Sequence, residues 1–215
     1  ILGIVPAMGA AALASLVIGW PTFKLNGVYF SLATLAYPLM FIPVLSYLGY
    51  QEVSLPYIRE NGAWYLQFED TRSLVLVALS LLVFSAIIVI GIERSRFGAS
   101  LLAIRDDQWA AEATGINAYG TKLKAFAISA ALAAAAGTLY ACLLLIITPH
   151  SVFGLTVTVK ALMVSLIGGL ATIWGPIIGA VILIPLSQYV LLNYGSTLPG
   201  IDNVVLGGFL VVVTI

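Results

Sequence analysis

Apolar residues in this chain do not alternate with polar ones. They run in long blocks with no polar face, the pattern of a helix that is apolar all round and either fully buried or set in a membrane. A helix rising 1.5 Å per residue needs about 20 residues to cross a hydrocarbon layer of about 30 Å. By that measure the first block is Ile1 to Trp20, rich in Ala and Gly and closed by Pro21. Val28 to Tyr47 is the second, with Pro38 and Pro43 inside it, and Leu74 to Ile92 is the third and cleanest. Leu123 to Ile147 is the fourth, and Leu155 to Leu170 the fifth, short and carrying Lys160. Pro176 to Leu192 is the sixth, with Pro185, and Val204 to Ile215 a shorter seventh. Helix breakers are tolerated in such segments where neighbouring helices satisfy the freed backbone groups. The expected fold is an all-α, polytopic transmembrane helical bundle of six to seven membrane segments. Both ends fall inside apolar runs and there is no initial Met, so a fragment of a longer polytopic chain is expected.

Two polar connections interrupt the pattern. Gly49 to Arg72 carries Glu52, Arg59, Glu60, Glu69, Asp70 and Arg72, with Tyr57, Trp64, Tyr65 and Phe68 of the kind that suits a membrane interface. Glu93 to Lys124 carries Arg94, Arg96, Arg105, Lys122 and Lys124. Lys and Arg set orientation, so the second connection is expected in the cytoplasm. The chain then reads as one transmembrane domain, 1–215, with an external loop 49–72 and a cytoplasmic loop 93–122. Alternation puts Lys24 and the turn Gly168 to Gly175 inside, and His150 and the segment from Gly195 to Asp202 outside.

Composition agrees. The 215 residues are 61% hydrophobic and 8% charged, against about 25% charged in a soluble domain. Too few charges remain to solvate a globular surface or to bind nucleic acid; the surrounding medium is a lipid bilayer. The net charge is zero, and single residues of Cys (Cys142) and His (His150) exclude an internal disulfide and the usual metal constellations. No phosphate-binding glycine loop is present, so no bound nucleotide or other cofactor is expected. No paired carboxylates fall within a membrane run, which argues against an acidic proton relay. No nucleophile–base pair supports an intramembrane enzyme. Lys160 is the charge inside a predicted span; it either snorkels to the outer surface or attracts an anionic group.

The connection after Glu93 is far longer than a tether of 2–8 residues between helices. Asp106 or Asp107 can N-cap a short helix running from Trp109 to Thr114, Gly115 is suited to the left-handed position that ends it, and Asn117 can cap the next. Ala110, Ala111 and Ala113 give the short helix a small surface that another protein can approach closely, with Trp109 as an anchor. The alternative is a helix resting on lipid headgroups. Glu112 either pairs with a basic partner or is a solvated residue partnered by Gln108.

In GGLATIWGPIIG, Gly168 to Gly179, Gly175 and Gly179 have the i,i+4 spacing of close helix packing in lipid, and Pro176 suits a helix start. Gly168, Gly169, Gly175 and Gly179 thus make either a packed turn or a broken backbone lining a translocation path. Ala127 to Gly137 is small on every face and is expected to pack centrally.

The stretch AIRDDQWAAEATGINAYGTKLKAFAISAALAAAAGTLYA, Ala103 to Ala141, resembles the coupling region of permeases of the branched-chain amino acid ABC transporter family, with the family's Ala-Ala-Glu-Ala-x-Gly-Ile-Asn core at Ala110–Asn117. Leu25 to Ala36 is similar to its Gly-Val-Tyr-Phe-Ala segment. Arg96 to Ile104 resembles Arg-Phe-Gly-Arg-x-Leu, with Ala99 in place of Arg. Leu162 to Ala180 resembles a Gly-Gly-x-Gly-Thr-x-x-Gly-Pro block, with Ala171 in place of Gly. The resemblance implies an inner-membrane permease subunit without its own ATPase site. ATP would be bound by separate ABC ATPase subunits, a second permease would complete the pore, and a periplasmic or external solute-binding protein would deliver the cargo. The coupling residues would be Asp106, Asp107, Ala110, Ala111, Glu112, Ala113 and Gly115. The cargo implied is a branched-chain amino acid; urea, short-chain amides or aromatic acids remain open, as does an ATP-independent carrier or structural role. The resemblance also implies that about a third of a full subunit precedes residue 1 and a short tail follows Ile215.

Overall fold

The computed structural model describes residues 3–25, 28–54, 71–169, 172–194 and 207–208. The predicted run Val204 to Ile215, the segment from Gly195 to Asp202 and most of the loop 49–72 lie outside the described residues. The rest is helical as expected. The elements are α1 (Ile4–Thr22), α2 (Val28–Tyr47), β1 (Val53–Ser54), α3 (Thr71–Glu93), α4 (Arg96–Asp106), α5 (Gln108–Ala113), α6 (Ala118–Leu144), β2 (Ile146–Ile147), α7 (Pro149–Phe153), α8 (Leu155–Gly168) and α9 (Gly175–Tyr194). Six stretches are long and apolar enough to cross a membrane: α1, α2, α3, α6, Pro149–Gly168 and α9. Few side chains are buried, and large apolar ones such as Val17, Leu76, Ile87 and Val181 are more than 60% exposed, as lipid-facing residues are.

The chain forms two units, residues 1–153 and 154–215. In the first, α1 packs along α6. Gly19 makes this possible: a Cβ there would sit 2.8 Å from Leu123 Cδ1 and 3.2 Å from Phe126. Phe23 meets Phe126 edge-on, with centroids 5.6 Å apart, and stacks on Phe30 at 5.3 Å. The Tyr119 hydroxyl donates to the Trp20 carbonyl at 2.9 Å. Ala135, in the small-residue stretch, is buried, and Thr138 donates back to its own helix at the Ala135 carbonyl.

These contacts put the C-terminal end of α1 beside the N-terminal end of α6. Lys24, Arg94, Arg96, Arg105, Lys122 and Lys124 therefore share one end of the unit, six of the chain's nine Lys and Arg. The opposite end carries a two-residue antiparallel pairing, Val53 with Ile147 and Ser54 with Ile146, and the stack of Phe41 on Phe153 at 5.9 Å. The apolar pattern contained no signal for that short ladder.

In the second unit α8 and α9 form a hairpin. Lys160 is the sixth residue of α8, about one and a half turns in.

Candidate functional site

The basic end of the first unit carries an ordered elbow between α3 and α6. Its first corner is Ser95, whose hydroxyl donates to the Ile92 carbonyl at 2.6 Å and accepts from the Gly98 amide at 3.2 Å. Gly98 lies so close to the end of α3 that a Cβ would stand 2.3 Å from the Ile92 carbonyl oxygen. The chain then forms α4 over 96–106, a second short helix in a connection where the sequence pattern predicts one. The Ser95 cap, with its side-chain oxygen on the N3 amide, is the local reason this stretch starts a helix.

Asp107 ends α4 and starts α5. It is extended, at φ −154° and ψ 113°. Its amide donates to the Ala103 carbonyl at 3.1 Å, while its carboxylate accepts from the Trp109 and Ala110 amides at 2.8 and 3.1 Å. The cap is thus Asp107 and not Asp106. Asp106 is the last residue of α4, exposed, and 3.5 Å from the neighbouring Arg105.

Gly115 ends α5 in the left-handed region at φ +89°. Its amide donates to the Glu112 carbonyl at 2.9 Å and the Ile116 amide to the Ala111 carbonyl at 3.2 Å, the paired bonds of a Schellman motif. Ile116 then packs on a small cluster of Ile104, Ala111 and Ala118, one from each of α4, α5 and α6. Asn117 caps α6 through the Gly120 amide at 2.8 Å.

That cluster corrects one expectation. Ala111 was expected on the exposed surface with Ala110 and Ala113, but it is 4% exposed. It is the point at which α5 is held to its neighbours. The exposed face is Trp109, Ala110, Glu112, Ala113 and Gly115. Glu112 accepts from Gln108 Nε2 at 3.0 Å, the partner anticipated, and Gln108 Oε1 in turn accepts from Lys122 at 2.5 Å. Ser95, Gly98, Ile104 and the bond from Lys122 to Gln108 escaped the sequence reading. Ser95, three residues before Gly98 at the start of RFGASLL, was a legible cap signal.

The elbow is held at several points. Each short helix is capped at its start, α5 is closed by a Schellman turn, and a buried cluster joins all three helices. Among the described residues no group of three or more His, Cys, Asp or Glu is placed to hold a metal.

In the second unit Gly168, Gly169, Gly175 and Gly179 come together at the turn between α8 and α9. A Cβ on Gly168 would meet the Gly175 carbonyl, one on Gly175 the Gly169 carbonyl, and one on Gly179 the Val164 carbonyl, each at 2.2 Å or less. Gly169 takes φ +105°. Thr172 closes the turn, donating to the Gly169 carbonyl at 3.0 Å and accepting from the Gly175 amide at 3.1 Å.

The family "Branched-chain amino acid transport system / permease component" matches residues 1–214. The chain is 28% identical over 200 residues to the high-affinity branched-chain amino acid transport system permease protein LivM of Escherichia coli (strain K12), covering 81% of this chain and 47% of that protein. The LivM of Salmonella typhimurium matches over the same shares at the same identity. The chain thus spans about half the length of the curated relatives it matches. No solved structure matches it.

Proposed function

Because the chain belongs to the branched-chain amino acid transport permease family and is a multi-pass protein of the inner membrane, we propose that it is the membrane subunit of an ABC importer for branched-chain amino acids. In this reading the chain hydrolyses nothing and binds no nucleotide. Separate ATPase subunits dock on the exposed face of α5, a second permease completes the pore, and an external binding protein supplies the solute. The 93–122 connection lies in the cytoplasm and the 49–72 loop outside.

The observation that supports this reading most is the construction of the elbow. A six-residue helix would fray if isolated, yet α5 is capped at both ends and fixed through Ala111 to α4 and α6. An element so held moves as a rigid body with the membrane helices at its ends, which is what coupling of ATPase closure to the pore requires. Asp107 and Gly115 act by shaping the helix, Ala111 by anchoring it, and Ala110, Glu112 and Ala113 by facing the partner.

The test is disulfide cross-linking from A110C, in a C142S background, to cysteines on a co-expressed ATPase subunit. A cross-link whose yield changes with ATP is expected. None from A110C, Glu112→Cys or Ala113→Cys, with the ATPase present, would return α5 to a helix resting on headgroups, with the exposed Trp109 as its lipid anchor.

A further inference from the structure

The basic end of the first unit has a flank that the elbow does not use. Gly19 of α1 lies against Leu123 and Phe126 of α6, and the two helices run antiparallel. Each residue turns a right-handed helix by about 100°, so in a facing antiparallel pair the residues that follow the contact fall on the same side. Trp20 and Lys124, the residues after Gly19 and Leu123, therefore share one flank. Residues on the other side of the contact are already engaged. Thr22 is buried with its hydroxyl 3.5 Å from that of Tyr37 in α2. Lys122 is bound to Gln108, and Ala118 is packed in the elbow cluster.

The Trp20 flank gathers positive charge and hydrogen-bond donors. The Lys24 ammonium stands 5.0 Å from the centre of the Trp20 ring. A ring face engages one side of an ammonium and leaves N–H groups for an oxygen acceptor. Lys124 is exposed, and its side chain leans toward the N-terminal end of α6, the level of Trp20 and Lys24. Among the described residues neither lysine has a carboxylate within ion-pair distance, Lys124 makes no side-chain hydrogen bond, and the indole N–H of Trp20 has no acceptor. Tyr119, by donating to the Trp20 carbonyl, fixes the end of α1 on α6 and so holds the group together.

What lies deeper along α1 selects the ligand. Leu13, Leu16 and Val17 are on the same side of α1 as Trp20, one or two turns into the membrane, and all are exposed. An apolar track thus runs inward from the two ammonium groups. A phosphate oxygen is the acceptor that two ammonium groups and an indole N–H suit, and a phosphate that continues into acyl chains uses the track as well. Trp is also the side chain that settles at headgroup level.

We propose that Lys24, Trp20 and Lys124 bind the phosphate of an anionic phospholipid, with its acyl chains along Leu13 and Val17. The site lies off the elbow and does not depend on the import reading.

The test uses the complete permease subunit, purified in a neutral detergent, and native mass spectrometry with phosphatidylglycerol as the probe and phosphatidylcholine as the neutral comparison. The wild type is expected to retain phosphatidylglycerol at a concentration at which phosphatidylcholine is lost. K24Q and K124Q should each weaken retention roughly fivefold and the double variant roughly thirtyfold, the effect of one interfacial charge each on an anionic lipid. K24R/K124R should keep most of it. R94Q/R96Q, which removes two basic residues of the elbow, should leave it unchanged. A double lysine variant that binds like the wild type overturns the site. So does an equal loss in R94Q/R96Q, which would assign the attraction to the charge of the whole basic end. Displacement of the lipid by millimolar inorganic phosphate would assign the site to a free anion and overturn the lipid reading. A second measurement needs no variant and covers a double variant that fails to fold. Phosphatidylglycerol with a photoactivatable group beside its glycerol backbone should label the wild-type protein within residues 13–25 and 119–126. Labelling confined to other peptides overturns the proposal.

Discussion

Lys122 donates to Gln108 Oε1 at 2.5 Å across fourteen residues of sequence, tying the second turn of α6 to the first residue of α5. Gln108 passes the connection on to Glu112. The three polar side chains brace α5 next to the point where the Ala111 cluster holds it. Cutting this brace with K122M or Q108A should lower uptake several-fold at unchanged membrane abundance. Hydrogen bonds to charged groups contribute about 1.5–3 kcal/mol when protected from water, and partial exposure here brings the expected loss to about 1 kcal/mol. The double variant should be no worse than the poorer single one. Faster amide exchange over residues 108–116 would report the loosening directly.

Gly115 should tolerate side chains poorly for a backbone reason alone. Nothing lies within 4 Å of a Cβ placed there, but φ is +89°. G115A is expected to destabilise the turn by about 1–2 kcal/mol, and G115N by less, since Asn enters the left-handed region more readily. Uptake assays on the two, with correct membrane insertion checked by protease protection, should rank them in that order. Equal uptake by G115V and wild type would remove the Schellman turn from the mechanism.

The three alanines of α5 should separate by reactivity. A110C and A113C are expected to label rapidly with a maleimide in inside-out vesicles. A111C, behind Ile104 and Ala118, should label at least tenfold more slowly. A111L should disturb the elbow by overpacking, at about 1–3 kcal/mol, whereas A110L should spare folding and act on partner binding alone.

Gly179 should not accept even a methyl group, because its Cβ would fall 2.0 Å from the Val164 carbonyl oxygen. G179A is expected to force α8 and α9 apart and lower the thermal stability of the purified protein. Gly137 supplies the control: nothing lies within 4 Å of its Cβ position, so G137A should be neutral or slightly stabilising, by up to about 1 kcal/mol from helix propensity.

The two ends of the first unit should face opposite sides of the membrane. L25C and S54C, in a C142S background, should label from opposite sides with an impermeant maleimide. Labelling from the same side would break the alternation on which the cytoplasmic assignment of the elbow depends.

Much of this architecture was legible beforehand. The second apolar run, Val28 to Tyr47, is α2 to the residue, because an uninterrupted apolar block between polar connections admits one arrangement in a bilayer. Gly115 and Asn117 were also legible as ends of helices, since capping is local chemistry. What could not be read were choices between equivalent neighbours. Asp106 and Asp107 are the same side chain, and the cap went to the one whose extended backbone aims its carboxylate at two free amides. The helix α4 was hidden because its apolar residues are too few to stand out beside the membrane runs.

The sequence by itself therefore determined the medium, the number of described spans and the basic end, because each depends on how much apolar or charged surface a segment carries, wherever the rest of the chain lies. The tertiary structure alone decided which alanine of α5 is an anchor and which two are free, and that Lys160 shares a cavity with Ser187 and Gln188 twenty-seven and twenty-eight residues further on. Those are facts about which faces of separate helices meet. The meeting depends on side-chain volumes at close contacts such as Gly179 on Val164, which composition and periodicity do not contain.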